Sequence, residues 1–554
     1  MEQKVLEKKS FGKENKLHSS VDNFKKVLMP FVDLNTKKPD TYSPPGKDII
    51  IVGAGTAGIL LAVSLVLKGK SVMIIESGNF CESEEKQKLN SVQQSAKIVK
   101  NAVWGRKRVI GGTTIAWGGQ SLPFTPIDFE KREWVENSGW PISFQELASY
   151  YKAADLFMDI DILNYDSDIF PKIKLKDPGI DKEVFDLHVA KWTNNKNFYK
   201  QFREILEDKV LVIYNAQVTG INKCYQNKVS GIEVSNFSNR SFIFPVKTLI
   251  IAAGTIETVR LLLNNDLVNN SGLLGKYFME HPCIEVGTIA TDKFYQLQKN
   301  FNTHICNGRK YSIRLSLCKS YQEKNQLLNC SASIMFRIPK DSLDIYAELK
   351  SFKIDFKFHH LIKISRSFKS LLKCAGAYAI NRFYYKPDSV AKLSLMIEQE
   401  PSEDSYVGLS ENKDQFGIPE PLIHWTITAK TWETVIATSG ALKKQIEDLD
   451  FGEVQLYKFI DADTADWQDY LSDVCHNMGG CRMSDLPNEG VVNKNLQVWG
   501  VPNLFICSQA VFPTASHSNP VLTMLALGLR LVDHLTIVKE NKVLKEDMFL
   551  SGMI

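Results

Sequence analysis

Apolar and polar positions first fall into a regular order at residues 48–77. Four β-branched residues in succession, Ile49, Ile50, Ile51 and Val52, predict a strand buried on both faces. Beyond Gly58 the apolar positions recur at helical spacing, and Val72 to Ile75 read as a second strand, so strand, glycine turn, helix and strand make a βαβ unit. Residues 1–46 are polar and lysine-rich and end in TYSPPG, whose prolines and glycine resist both helix and strand. They are expected to form an N-terminal extension. Near the other end, PNLFICSQAVFPTASHSNPVLTMLALGLRLVDHL predicts a short buried strand, a loop, and a helix that is apolar on nearly all sides and hence buried. Asn519 is expected at the N-cap of that helix and Pro520 at its first position, where a missing N–H costs nothing. The middle of the chain mixes short strand-like runs with aromatic loops and shows no repeat. Residues 350–386 set lysines and arginines among Phe, Leu and Ile, a solvated helical excursion or else a basic amphipathic helix for a membrane or partner surface.

Composition narrows the class. A chain of 554 residues exceeds one compact core and points to roughly two to four domains. With 44% hydrophobic and 23% charged residues and a formal charge of +4, it is neither disordered nor fibrous. Its lysines are dispersed among acidic residues, which argues against a nucleic-acid partner. Ten cysteines occur without a CxxC pair, the pattern of reduced thiols. The N-terminus has neither an apolar core nor a twin arginine, so no secretory signal is read and a cytoplasmic location is expected. No run of about 18 uncharged apolar residues predicts a membrane span.

Chemistry enters at the turn of the βαβ unit. Gly53, Gly55 and Gly58 form GxGxxG directly after the first strand, and Glu76 closes the second. Gly53 permits the tight turn, Gly55 lets backbone approach a pyrophosphate, and Gly58 lets helix and strand pack closely. The helix N-terminus offers free N–H groups to phosphate, and Glu76 can accept hydrogen bonds from ribose hydroxyls. This predicts dinucleotide binding without choosing FAD over NAD.

Several further segments carry a family likeness. RVIGGTTIAWGGQ at 108–120, TLIIAAGTIETVRLLL at 248–263, LGKYFMEHP at 274–282, and the long run at 476–527 that begins HNMGGCRMSD and ends SHSNPVLTMLAL resemble the glucose-methanol-choline (GMC) oxidoreductases. DFEKREWVENSGWPISFQELASYYKAA and IEQEPSEDSYVGLSENKDQFGIP (397–419) are similar to the bacterial sugar- and polyol-oxidising branch. The resemblance implies an α/β protein in which an FAD-binding Rossmann-like domain of GMC type is interleaved with a substrate domain built on an antiparallel sheet. The expected division is 47–130, 205–282 and 460–554 for the FAD domain, and 131–204 and 283–459 for the substrate domain.

The resemblance also implies an activity: FAD-dependent oxidation of an alcohol, a sugar, glycoside or polyol, by hydride transfer to flavin N5 with a histidine as general base. A flavoprotein dehydrogenase subunit that hands electrons to a protein partner, and a non-redox lyase of the same fold, are the alternatives. Oxygen, a quinone or a carrier would reoxidise the flavin. Motif by motif, His476 falls at the base position and Asn519 at its partner, with His517 as a rival two residues away. The implied cofactor contacts are Gly53, Gly55, Thr56, Ala57, Gly58, Glu76, Gly112, Thr113, Trp117, Gly118, Gly119, Val218, Ala253, Gly254, Ala510 and Pro520. Two departures stand out. Ala116 occupies the position of the histidine that tethers FAD in some relatives, which implies noncovalent FAD. Cys507, Ser508 and Gln509 replace the family's small or acidic residues on the last strand. Cys475, His476 and Cys481 lack the spacing and the fourth ligand of a zinc site, so no metal is expected.

Overall fold

The computed structural model describes residues 31–224, 227–267, 271–339, 368–461 and 466–537. Its first organising element is a six-stranded, all-parallel sheet in the order Val32–Asp33, Val210–Tyr214, Val72–Ile75, Ile49–Val52, Thr248–Ile251, Leu504–Ile506. Parallel strands are covered on both faces, which is why IIIV, VMII and LFI are runs of apolar residues without alternation, all buried. The expected βαβ unit is present, with its helix at Thr56–Leu67. That helix buries nine of its twelve residues against the sheet and against the C-terminal helix Val521–Thr536. The two helices approach so closely that a Cβ on Gly528 would come within 2.7 Å of Leu60.

Residues 31–46, expected within an extension, contribute to this sheet: Val32 and Asp33 pair with Ile213 and Tyr214 at its edge. Leu34 is fully buried and fixes that edge, and the preceding prolyl and lysyl signals gave no hint of it. Residues 1–30, and the 350–367 part of the basic segment, lie outside the described residues. Of the remainder, Phe368–Asn381 forms a helix.

A second, eight-stranded sheet is antiparallel. Its order is Glu453–Leu456, Cys283–Ala290, Val390–Ile397, Cys330–Arg337, Arg309–Leu317, Phe185–Trp192, Gln120–Ser121, with His304–Cys306 beside Arg309–Leu317. Alternation is strict here. Ile313, Leu315, Leu317, Ala332, Ile334, Leu393 and Leu395 form one buried apolar face, against which the helix Ala429–Asp448 packs. The opposite face carries His188, Arg314, Ser331, Ser333 and Ser394, which stand in register across the strands. Two three-stranded sheets complete the fold.

The glycine turn is the tightest point of the parallel sheet. Gly53 has φ of +105°, and a Cβ there would meet the Ala252 carbonyl at 2.6 Å; a Cβ on Gly58 would meet the Gly53 carbonyl at 1.9 Å. Gly58→Ala must therefore push helix and strand apart. A loss of about 1–3 kcal/mol or more is expected, read as a lower unfolding midpoint against wild type; an unchanged midpoint would show that the turn is not held in this geometry.

Candidate functional site

The carboxyl end of the parallel sheet opens into a cleft of about 660 Å³. Three helix N-termini converge on it: Gly55 with Thr56 and Ala57, Gly254 with Thr255, and Pro520 with Val521. No side chain caps any of the three, so their first-turn N–H groups keep their hydrogen-bonding capacity and their positive dipole ends face the cleft. Glycines make room. A Cβ on Gly118 or Gly254 would stand in open space, while Gly112 approaches Gly55 so closely that a Cβ would come within 2.6 Å of its Cα.

Glu76 ends the second strand, buried, with Oε2 accepting from the Ala54 amide and Oε1 from the Gly78 amide, each at 2.7 Å. Burial raises its pKa against the pull of these donors. Beside it lies a group of arginines that the sequence did not single out. Arg106, Arg108 and Arg260 surround Glu257, at 2.8, 2.8 and 3.4 Å, and Arg260 also pairs with Asp414 at 2.7 Å. Although burial works against its charge, this ring of guanidinium groups holds Glu257 down to about 2. Three cations against two carboxylates leave the wall net positive, which suits an anionic ligand.

Of the expected cofactor contacts, Gly53, Gly55, Thr56, Ala57, Glu76, Gly112, Thr113, Trp117, Gly118, Gly119, Val218, Ala253, Gly254 and Pro520 line the cleft, as does Ala116. Gly58 and Ala510 do not. Gly58 is spent on packing against Gly53, and Ala510 is buried with its carbonyl accepting from the Cys481 amide. Cys507, Ser508 and Gln509 of the same segment do reach the cleft.

His476 and Asn519 stand together at the cleft wall, Asn519 Nδ2 lying 3.4 Å from His476 Nε2. The last helix runs from Val521 with Pro520 at its N-cap and no side-chain capping bond, so Asn519 does not make the expected cap. Its amide is directed to the histidine instead. His517 is also displaced from the expected rivalry: it is fully buried, absent from the cleft wall, and stacked on His188 with ring centroids 5.2 Å apart and planes 5° apart.

Two residues missed by the sequence reading organise this pair. His281 Nδ1 lies 2.9 Å from His476 Nδ1, and His281 Nε2 lies 3.2 Å from the Ala515 carbonyl oxygen. A carbonyl can only accept, so Nε2 of His281 carries the proton and its Nδ1 accepts. His476 must then donate from Nδ1, which leaves a lone pair on Nε2 turned toward Asn519. Burial pushes His281 down to about 4 and His476 well below the usual imidazole value, so each ring holds one proton. Beneath them Glu280 is fully buried; its Oε1 accepts from the backbone amides of His281 and His476 at 2.9 and 2.7 Å, and its Oε2 from Asn477 Nδ2 at 2.7 Å. Burial pushes Glu280 up to about 8. The motif FMEHP carried both residues, yet nothing in it announced a partner almost two hundred positions away.

Comparison with known proteins follows the same lines. Residues 401–528 match the family model described as GMC oxidoreductase. The chain is similar to the fructose dehydrogenase large subunit of Gluconobacter japonicus, 22% identical over 88% of this chain and 97% of that protein. It is also similar to 2-methyl-1,2-propanediol dehydrogenase of Mycolicibacterium austroafricanum, 21% identical over 90% and 96%. Among solved structures, pyridoxine 4-oxidase from Mesorbium loti matches with a TM-score of 0.53 at 14% identity, covering 88% of this chain and 99% of that one. A formate oxidase of Aspergillus oryzae RIB40 gives 0.53 at 14%, covering 89% and 98%. The α/β fold with its Rossmann-like sheet is the fold of these flavoenzymes. Among the described residues, no helix is long and apolar enough to cross a membrane.

The hydrogen-bond chain predicts a tautomer. In ¹⁵N-histidine spectra, His476 should stay neutral with its proton on Nδ1 and titrate well below the free imidazole value of ~6.5. A midpoint at or above that value, or a proton on Nε2, would contradict the arrangement.

Proposed function

We propose that this chain, a member of the GMC oxidoreductase family, binds FAD in the cleft and oxidises the CH–OH group of a sugar, glycoside or polyol. The observation that carries the reading is the convergence of an imidazole lone pair and an amide N–H on one point of the cleft wall. Three uncapped helix ends, a net positive wall and glycines facing open space suit the pyrophosphate and ring system of a dinucleotide. Glycines 53, 55, 112, 118 and 254, with Glu76, are the residues that would hold it. The chemistry the cofactor supplies when bound is hydride acceptance at flavin N5.

The protein's own part concerns the other hydrogen. A hydroxyl placed between Asn519 and His476 accepts from Asn519 Nδ2 and donates to His476 Nε2. As the carbinol C–H bond breaks, His476 takes the hydroxyl proton, and Asn519 steadies the negative charge growing on oxygen until it becomes a carbonyl. His281 is a positioning residue. By accepting from His476 Nδ1 it fixes the tautomer, and it spreads the positive charge the ring acquires. The N-terminus of Val521–Thr536, at the same wall, adds a positive end that favours electron-rich chemistry nearby.

The assignment gives three expected outcomes. His476→Ala should retain FAD while flavin reduction by an alcohol falls roughly 10²- to 10⁴-fold; loss of less than tenfold would remove His476 as base. The base works only when neutral and its pKa is depressed, so the rate of reduction should be flat through neutral pH and fall on the acid side, below ~6.5. A fall that already begins above neutrality would contradict it. Acid precipitation should release yellow FAD into the supernatant, because Ala116 offers no nucleophile for a tether; flavin that stays with the pellet would show a covalent link.

A further inference from the structure

The polar face of the eight-stranded sheet looks onto the loop that carries Asn519, and it is unusual in what it leaves unsatisfied. His188 and Arg314 are direct cross-strand partners, and His188 stacks on His517. His517 lies close enough to His281 to depress that ring's pKa, and the charge of Arg314 depresses both His188 and His517. On the other side of Arg314 stand Cys283, Ser394 and Ser333, with Cys283 Sγ 3.8 Å from Ser394 Oγ and Ser333 facing Ser394 in register. Arg314 is thus linked to the His281–His476 pair through His188 and His517.

Within this cluster Arg314 Nε, His188 Nε2, both ring nitrogens of His517, Ser331 Oγ and Ser518 Oγ are sealed from water and have no hydrogen-bond partner. The contrast with other buried arginines of the chain is direct. Arg132 makes a bidentate pair with Glu398 at 2.7 and 2.6 Å, and Arg106, Arg108 and Arg260 share Glu257. No carboxylate among the described residues pairs with Arg314. The one ionisable group acting on it in its favour is Cys283, whose thiol burial keeps protonated. A guanidinium remains charged, and a partly buried one without a counter-ion is a ready partner for an anionic ligand. Its planar fork matches a carboxylate in particular, and a single cation matches a monoanion.

We propose that Arg314 is a specificity-determining residue that receives a carboxylate of the substrate, so that the alcohol oxidised beside His476 belongs to a hydroxy acid or sugar acid. The inference rests on the reading of the site as an alcohol-oxidising one, and adds to it the acidic group. Ser333 and Ser394, small and polar, stand beside Arg314 on the same face of the sheet.

Calorimetric titration of the FAD-loaded enzyme tests this without requiring turnover, using paired probes: gluconate against glucitol, glucuronate against glucose, glycerate against glycerol, and lactate against propane-1,2-diol. At least one acid should bind on the order of 10- to 100-fold tighter than its neutral partner, the range of a charge-assisted pair. Arg314→Gln should abolish the preference while FAD content and unfolding midpoint stay at wild-type values, and Arg314→Lys should keep part of it. If no acid outbinds its neutral partner in the wild type, or if the preference survives Arg314→Gln, the proposal is overturned. Should Arg314→Gln fail to fold, the wild-type comparison and Arg314→Lys still decide, since a complete loss of preference is not expected when the charge is retained. Flavin reduction by the same probes separates the two readings. Equal reduction by acids and neutral polyols sinks the carboxylate subsite alone, whereas acid binding without reduction by either class sinks alcohol oxidation and leaves the subsite.

Discussion

One buried carboxylate holds the reactive corner of this protein together. Glu280 is sealed from solvent, and its two oxygens accept from the amides of His281 and His476 and from the side chain of Asn477. Two chain segments 196 residues apart are thereby fixed to the same group, alongside the backbone pairing of Met279 with Met478. Each such bond contributes only about 0.5–1.5 kcal/mol net, but losing the acceptor would leave buried donors unmet at a higher cost. The geometry of the histidines depends on it, because both take their backbone position from the same oxygen. Burial pushes the carboxyl up to about 8, so it does not act as a strong fixed anion that would draw a second proton onto either ring. Their own burial keeps both rings neutral, and one of them can act as a base.

The glycine-turn end of the cleft relies on a different arrangement of charge. Its positive character comes less from free cations than from helix ends and from arginines clustered around Glu257. Holding three guanidinium groups on two carboxylates keeps the arginines in place while leaving a net positive field. Such a wall attracts a diphosphate without committing a side chain to a contact that would have to break as the ligand enters.

What could be read from the sequence follows from how far each signal reaches along the chain. GxGxxG with its flanking strands is legible because every requirement is local: a turn at Gly53, close packing at Gly58, an acid at Glu76. His476 and Asn519 were reached by likeness of motif, since an isolated histidine carries no chemical mark of its own. Glu280 and His281 stood in a recognised motif, yet their roles depend on partners at positions 476, 477 and 515, and no spacing encodes that. Arg106, Arg108, Glu257 and Arg260 failed for the same reason, as did the edge strand at Val32 and Asp33. Asn519 shows the reverse error. Its sequence context suits a helix cap, but its side-chain oxygen makes no capping bond and its Nδ2 lies beside His476.

The second sheet explains how such a site can change its ligand without losing its chemistry. In the runs RKYSIRLSL and CSASIMFR, Tyr311, Ile313, Leu315, Leu317, Cys330, Ala332, Ile334 and Phe336 belong to the core, whereas Ser312, Arg314, Ser331 and Ser333 belong to the face that looks toward the loop of His517 and Asn519. Replacing a residue on that face leaves the packing against Ala429–Asp448 untouched, because alternation sends the two sets of side chains to opposite sides. It also leaves Glu280, His281 and His476 untouched, since those are carried by loops and by backbone amides rather than by the sheet. His517 links the two systems, stacked on His188 and close to His281. On the proposed reading, proton removal falls to segments whose backbone is fixed by one acid, while recognition of the ligand falls to the polar surface of a sheet.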